Sequence, residues 1–66
     1  MGSLDHAKLS AMAAGVEDLA RRSGELAAEL EGGRTAEAAV ALFEAERSLV
    51  MAGRAVERAR RVLGAD

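Results

Sequence analysis

Apolar residues in the first half of the chain recur as Leu9, Met12, Val16, Leu19, Leu26 and Leu30, with Ser23 at the one step that lacks an apolar side chain. The alternating three- and four-residue spacing is that of a heptad, in which two positions in seven keep one stripe of an α-helix against a partner helix. Taking Leu9 as position a puts Leu9, Val16, Ser23 and Leu30 at a, and Met12, Leu19 and Leu26 at d. The second half has its own heptad, with Leu42, Leu49, Val56 and Leu63 at a and Ala38, Ala45, Ala52 and Ala59 at d. Every d residue there is alanine.

Glu31-Gly32-Gly33-Arg34-Thr35 separates the two halves. A glycine takes the left-handed conformation that ends a helix, and Thr35 is placed to cap the helix that follows. Asp5 or Ser3 fills the same role at the start, Glu37 complements the dipole of the second helix in its first turn, and Arg58, Arg60 and Arg61 do so near its end. The pattern predicts one hairpin over residues 1–66: helix 1 about 4–31, a turn 32–35, and helix 2 about 36–63. Each helix should run roughly 27 residues, or about 40 Å.

Folding the chain back at the two glycines pairs Leu30 with Ala38, Leu26 with Leu42, Ser23 with Ala45, Leu19 with Leu49, Val16 with Ala52, Met12 with Val56, and Leu9 with Ala59. Apolar registers that stay in phase over the whole length point to an all-α fold, an antiparallel two-helix hairpin of the Ala-rich coiled-coil type known as the Alacoil. The alanines let the backbones approach towards the short end of the usual range of about 8 to 10 Å. Gly15, Gly24 and Gly53 run against this pattern, since each costs about 1 kcal/mol relative to alanine inside a helix. They mark close contacts or, at Ser23-Gly24, a kink or a split of helix 1.

Size then asks for a partner. A 66-residue chain has a core that seldom supplies more than about 3 to 5 kcal/mol, and Cys 0 removes disulfides and thiolate zinc sites as supplements. Beyond the seam, Ala36, Ala39, Val40, Phe43 and Val50 form a second apolar stripe on helix 2, and Ala13, Ala20 and Ala27 lie at e on helix 1. In an antiparallel pair these flanks fall on one side. The predicted self-association interface is therefore Ala13, Ala20, Ala27, Ala36, Ala39, Phe43, Val50 and Gly53, closing two hairpins into a homodimeric four-helix bundle. Glu46 falls within that face and must reach its rim or an arginine of the other chain.

Little in the sequence suggests chemistry. His6 is the only histidine and has no acidic residue three positions before it, so it reads as a surface residue and not as a ligand or phosphoacceptor. Glu25 and Glu29 lie one turn apart with nothing to complete an acid-base pair or a metal site, and Gly32-Gly33 is not a phosphate-cradling loop between a strand and a helix. No enzymatic activity, catalytic residue, metal, cofactor or small-molecule substrate is expected. Arg47, Arg54 and Arg61 recur every seven residues and, with Arg58, make a basic stripe. Arginines at such positions ordinarily solubilise a helix. In size and layout, though not in any motif, the chain resembles the Rop-type plasmid regulators, dimers of helical hairpins that bind paired RNA loops. That resemblance makes nucleic-acid binding through Arg47, Arg54, Arg58 and Arg61 the alternative to a module that binds itself and another protein.

The net charge of −2, with mixed signs along both halves, argues against non-specific attraction to nucleic acid or anionic membrane. No stretch approaches the roughly 20 apolar residues of a membrane span, and no apolar leader opens the chain, so a cytoplasmic location is expected. Lys8 is the only lysine, and the wealth of Ala, Gly and Arg suggests a GC-rich bacterial genome. Met1-Gly2-Ser3 has the look of a start codon followed by cloning residues.

Overall fold

Two long helices and a tight turn make up the computed structural model, which describes residues 3–64. Helix α1 runs Ser3–Leu30, a single 3-10 turn spans Gly33–Thr35, and helix α2 runs Ala36–Gly64. The expectation about Met1 and Gly2 lies outside the described residues. Helix α1 passes through Ser23-Gly24 without interruption, so the split considered there does not occur. It begins at Ser3, which leaves Asp5 inside the first turn and not at the cap.

The turn depends on glycine twice. Gly32 sits at φ 88° and ψ 154° and Gly33 at φ 61°, positive values that a side-chain-bearing residue adopts only under strain. Thr35 does something other than cap α2. Its hydroxyl donates to the carbonyl of Leu30 at 2.6 Å and lies 3.3 Å from that of Gly32, so it satisfies a carbonyl left open at the end of α1. The cap of the short turn comes from the backbone, where the Ala36 N–H bonds the Gly33 carbonyl.

The helices pack lengthwise, but along a seam rotated from the predicted one. On α1 the seam runs through Leu9, Ala13, Val16, Ala20, Ser23, Ala27 and Leu30, and on α2 through Ala39, Leu42, Glu46, Leu49, Gly53, Val56 and Arg60, with Ser10, Gly24, Ala36, Phe43, Ala45 and Glu57 half-buried beside it. The a residues are shared with the predicted seam except Leu63, which is 40% exposed, while the second position lies four residues after each a instead of three. Met12, Leu19 and Leu26, assigned to the interior, are 53%, 47% and 45% exposed, and Ala38, Ala52 and Ala59 are exposed as well. Pairing shifts with the rotation: Val16 meets Gly53 in place of Ala52, its Cγ1 3.6 Å from where a Cβ on that glycine would stand. Glu46 in turn lies over Gly24, where a Cβ would come within 2.5 Å of Oε2. Two of the three interior glycines are thus close contacts, and their cost as helix residues is the condition for that closeness.

Small residues in the seam have a consequence for the core. Among the described residues the only buried apolar ones are Ala20, Ala27 and Ala39, and no large side chain is fully buried. The surface area of 4902 Å² compares with roughly 3,950 Å² for a typical folded monomer of this mass. The Cα trace extends 52 × 14 × 10 Å, a flat rod with two broad faces.

Candidate interaction surfaces

An α-helix advances about 100° per residue, so moving every seam position by one residue generates the stripe on the adjoining side. Because the helices are antiparallel, a shift in the same sense on both places the two new stripes on the same face. Shifting forward gives Ser10, Ala14, Glu17, Arg21, Gly24 and Ala28 from α1, with Glu31 just past its end, beside Val40, Phe43, Arg47, Val50, Arg54, Glu57 and Arg61 from α2. Shifting backward gives Lys8, Met12, Gly15, Leu19, Arg22, Leu26 and Glu29, beside Ala38, Ala41, Ala45, Ser48, Ala52, Ala55 and Ala59. The first is called here the charged face and the second the alanine face.

A groove of about 770 Å³ runs along the charged face, lined among others by Ser10, Ala14, Glu17, Val50, Arg54 and Arg58. Local ion pairs lie along both helices. Arg21 bridges Asp18 and Glu25, the latter at 3.3 Å, and Arg60 reaches Glu57 at 2.9 Å. The hydrogen bond and charge of Asp18, then those of Glu25, push the Arg21 guanidinium further above its ordinary range. Exposed pairs of this kind fix side-chain positions more than they stabilise the fold. Arg60 is the exception in placement, since it occupies a seam position, half-buried, and its Nε is buried without a partner.

The predicted self-association residues divide in two. Ala20, Ala27 and Ala39 are already covered inside the hairpin and are unavailable to another subunit, which is a direct result of the rotated seam. Ala13, Ala36, Phe43 and Gly53 are half-buried, and Val50 alone is open, at 43%. Glu46, expected at the rim of that face, lies instead in the seam against Gly24. Of the arginine stripe, Arg47, Arg54, Arg58 and Arg61 are all exposed; the last three line the groove with Glu17 and Glu57 among them, and Arg47 does not.

The alanine face escaped the sequence reading because its residues had been spent on the interior. Along α1 it presents Met12, Leu19 and Leu26 as a ridge, with a shallow hollow beside it formed by Leu19, Arg22, Ser23, Glu25, Leu26, Glu29 and Leu42. Along α2 it presents six alanines and Ser48, without a charge. Gly15 belongs to this face and has nothing of its own chain within 4 Å of where a Cβ would stand. It is the one interior glycine among Gly15, Gly24 and Gly53 that the hairpin does not explain.

Among the described residues no group of three or more His, Asp or Glu side chains is placed to hold a metal ion, and no helix is long and apolar enough to cross a membrane. Comparison with protein-family models, curated proteins and solved structures gives no match.

Proposed function

We propose that the chain is a small non-enzymatic interaction module that associates with a second copy of itself as a four-helix bundle and presents its outer surfaces to another protein. The observation that carries this reading is the mismatch between core and surface: three buried alanines inside, and Met12, Leu19, Leu26, Val40, Val50, Met51 and Val62 all substantially exposed outside. At roughly 25 cal/mol per Å² of apolar surface, alanines alone contribute little, and a hairpin with one covered side is marginal. Covering a second side by association adds what the single chain lacks. Sedimentation velocity at micromolar concentration, with thermal melting across a dilution series, tests it. A dimer whose melting temperature rises with concentration is expected; a single monomeric species with a concentration-independent transition removes the proposal.

Nucleic-acid binding is the second reading, favoured by the convergence of Arg54, Arg58 and Arg61 on one groove. Glu17 and Glu57 in the same groove weigh against it. A mobility shift of RNA or duplex DNA that fades as salt rises would support it, and no shift at low ionic strength would dismiss it.

A further inference from the structure

We infer that the alanine face is where the second copy sits, and that the two hairpins are related by a two-fold axis parallel to their long direction, so that the Met12–Leu19–Leu26 ridge of each lies on the alanine stripe of the other. The inference rests on the self-association proposed above and names its site.

The geometry supplies three reasons. The first is the angle between seams. A helix in a four-helix bundle touches two neighbours about a right angle apart, and the ridge of α1 is its inner seam displaced by one residue, hence turned about 100°. The same displacement on α2 produces the alanine stripe, and antiparallel packing turns both to the same side.

The second reason is level. Val16 against Gly53 and Gly24 against Glu46 fix the heights of the two helices. Leu19 then stands level with Val50 and Met51, Met12 with Glu57 and Arg58, and Leu26 with Phe43 and Glu44. On the alanine stripe those heights are gaps, between Ser48 and Ala52, between Ala55 and Ala59, and between Ala41 and Ala45. A two-fold axis along the hairpin leaves heights unchanged, so each large side chain of one copy arrives opposite a hollow between small ones of the other without sliding. A perpendicular axis would instead set ridge on ridge and alanine on alanine, holding one helix pair apart while the other closes.

Third, polarity agrees. Arg22, whose Nη1 lies 3.7 Å from Asp18 of its own helix, is the one charge in the middle of the ridge, and it comes level with Ser48, the one polar residue of the stripe, with Glu44 of the other copy a turn away. The chain exposes roughly 950 Å² more than a typical monomer of its mass, an excess spread over its whole surface, and a standard interface covers approximately 800 Å² per partner.

Two experiments test the inference. Sedimentation of Leu19→Glu, Ala52→Glu and Val50→Glu should show the first two dissociating at least about 100-fold more readily than the parent and the third unchanged, because only the first two bury a charge without a partner; circular dichroism confirms that each stays helical. Since the parent has Cys 0, a mixture of the single variants Leu19→Cys and Ala52→Cys should cross-link to each other on oxidation, and Leu19→Cys alone should not cross-link to itself. Self-cross-linking of Leu19→Cys, or a dimer that only Val50→Glu disrupts, would overturn the arrangement while leaving self-association intact. A parent chain that is monomeric throughout would overturn both.

Discussion

The two broad faces of the hairpin are made from the same pair of helices, two residues out of phase with each other and one to either side of the seam, and they differ in kind. On the charged face, Glu17, Arg21, Arg47, Arg54 and Glu57 punctuate the apolar residues at nearly every turn. On the alanine face the polar residues are Lys8 and Glu29 at the two ends with Arg22 and Ser48 between them. Water solvates the first without loss. The second leaves a strip of methyl groups, broken once at Ser48, beside a ridge of large side chains, and apolar surface of that sort marks a place of contact. A step of one residue to either side of the seam is therefore enough to separate a solvated side from an adhesive one.

The comparison breaks most directly at Ala52 and Arg54, two residues apart on α2 and on opposite faces. Ala52→Glu should lower the apparent unfolding free energy at micromolar concentration by about 3 kcal/mol through loss of the second copy, whereas Arg54→Glu should change it by no more than about 0.5 kcal/mol. Equal effects in chemical denaturation would erase the distinction between the faces. Next comes the seam that separates them. Ala27 is 0% exposed, and Ala27→Leu should cost about 2 kcal/mol by forcing the helices apart; tolerance of leucine there would place Ala27 on a surface. Thr35→Val touches neither face, and loss of the bond to the Leu30 carbonyl should cost about 1 kcal/mol without altering how melting depends on concentration.

Gly15→Ala sharpens the comparison in the other direction. A Cβ meets nothing of its own chain, so the substitution should raise helix stability by roughly 0.5 to 1 kcal/mol. A loss in its place, confined to the dimer, would mean that a neighbouring backbone lies against this position. Smallest of all should be Arg21→Gln: although it removes both the Asp18 and the Glu25 pairs, these are exposed to solvent, and the melting curve should be unchanged.

How much of this could be read in advance follows from the same phase relation. Helix boundaries, the turn and the antiparallel layout were legible because propensity, glycine placement and heptad spacing agree. The choice of seam was not. Leu9, Val16, Ser23 and Leu30 lie between two flanking stripes, Met12-Leu19-Leu26 on one side and Ala13-Ala20-Ala27 on the other, and either flank completes a heptad. Ranking by hydrophobicity favours the leucines, while the structure takes the alanines, which let the backbones close until Gly53 and Gly24 touch Val16 and Glu46. Glu46 and Arg60 concealed that choice, because a glutamate and an arginine do not read as interior positions. The glycines were the available signal, since Gly24 and Gly53 both fall beside the closely packed seam. The interface residues moved with it: the alanines expected to meet a second chain were consumed by the first, and the leucines expected inside were released.

The turn carries a further consequence. With Gly32 and Gly33 both at positive φ, the peptide between the helices is shaped against straightening, and the hydroxyl of Thr35 fastens it to the end of α1. Were the five residues from Glu31 to Thr35 to become helical, the chain would turn into a rod of roughly 90 Å, and each half would look for its complement on a different molecule. A few atoms at one end thus decide whether four helices come from two bent chains in a closed pair or from many straight ones joined end over end, and replacing both glycines by alanine should convert a discrete assembly into an open-ended one.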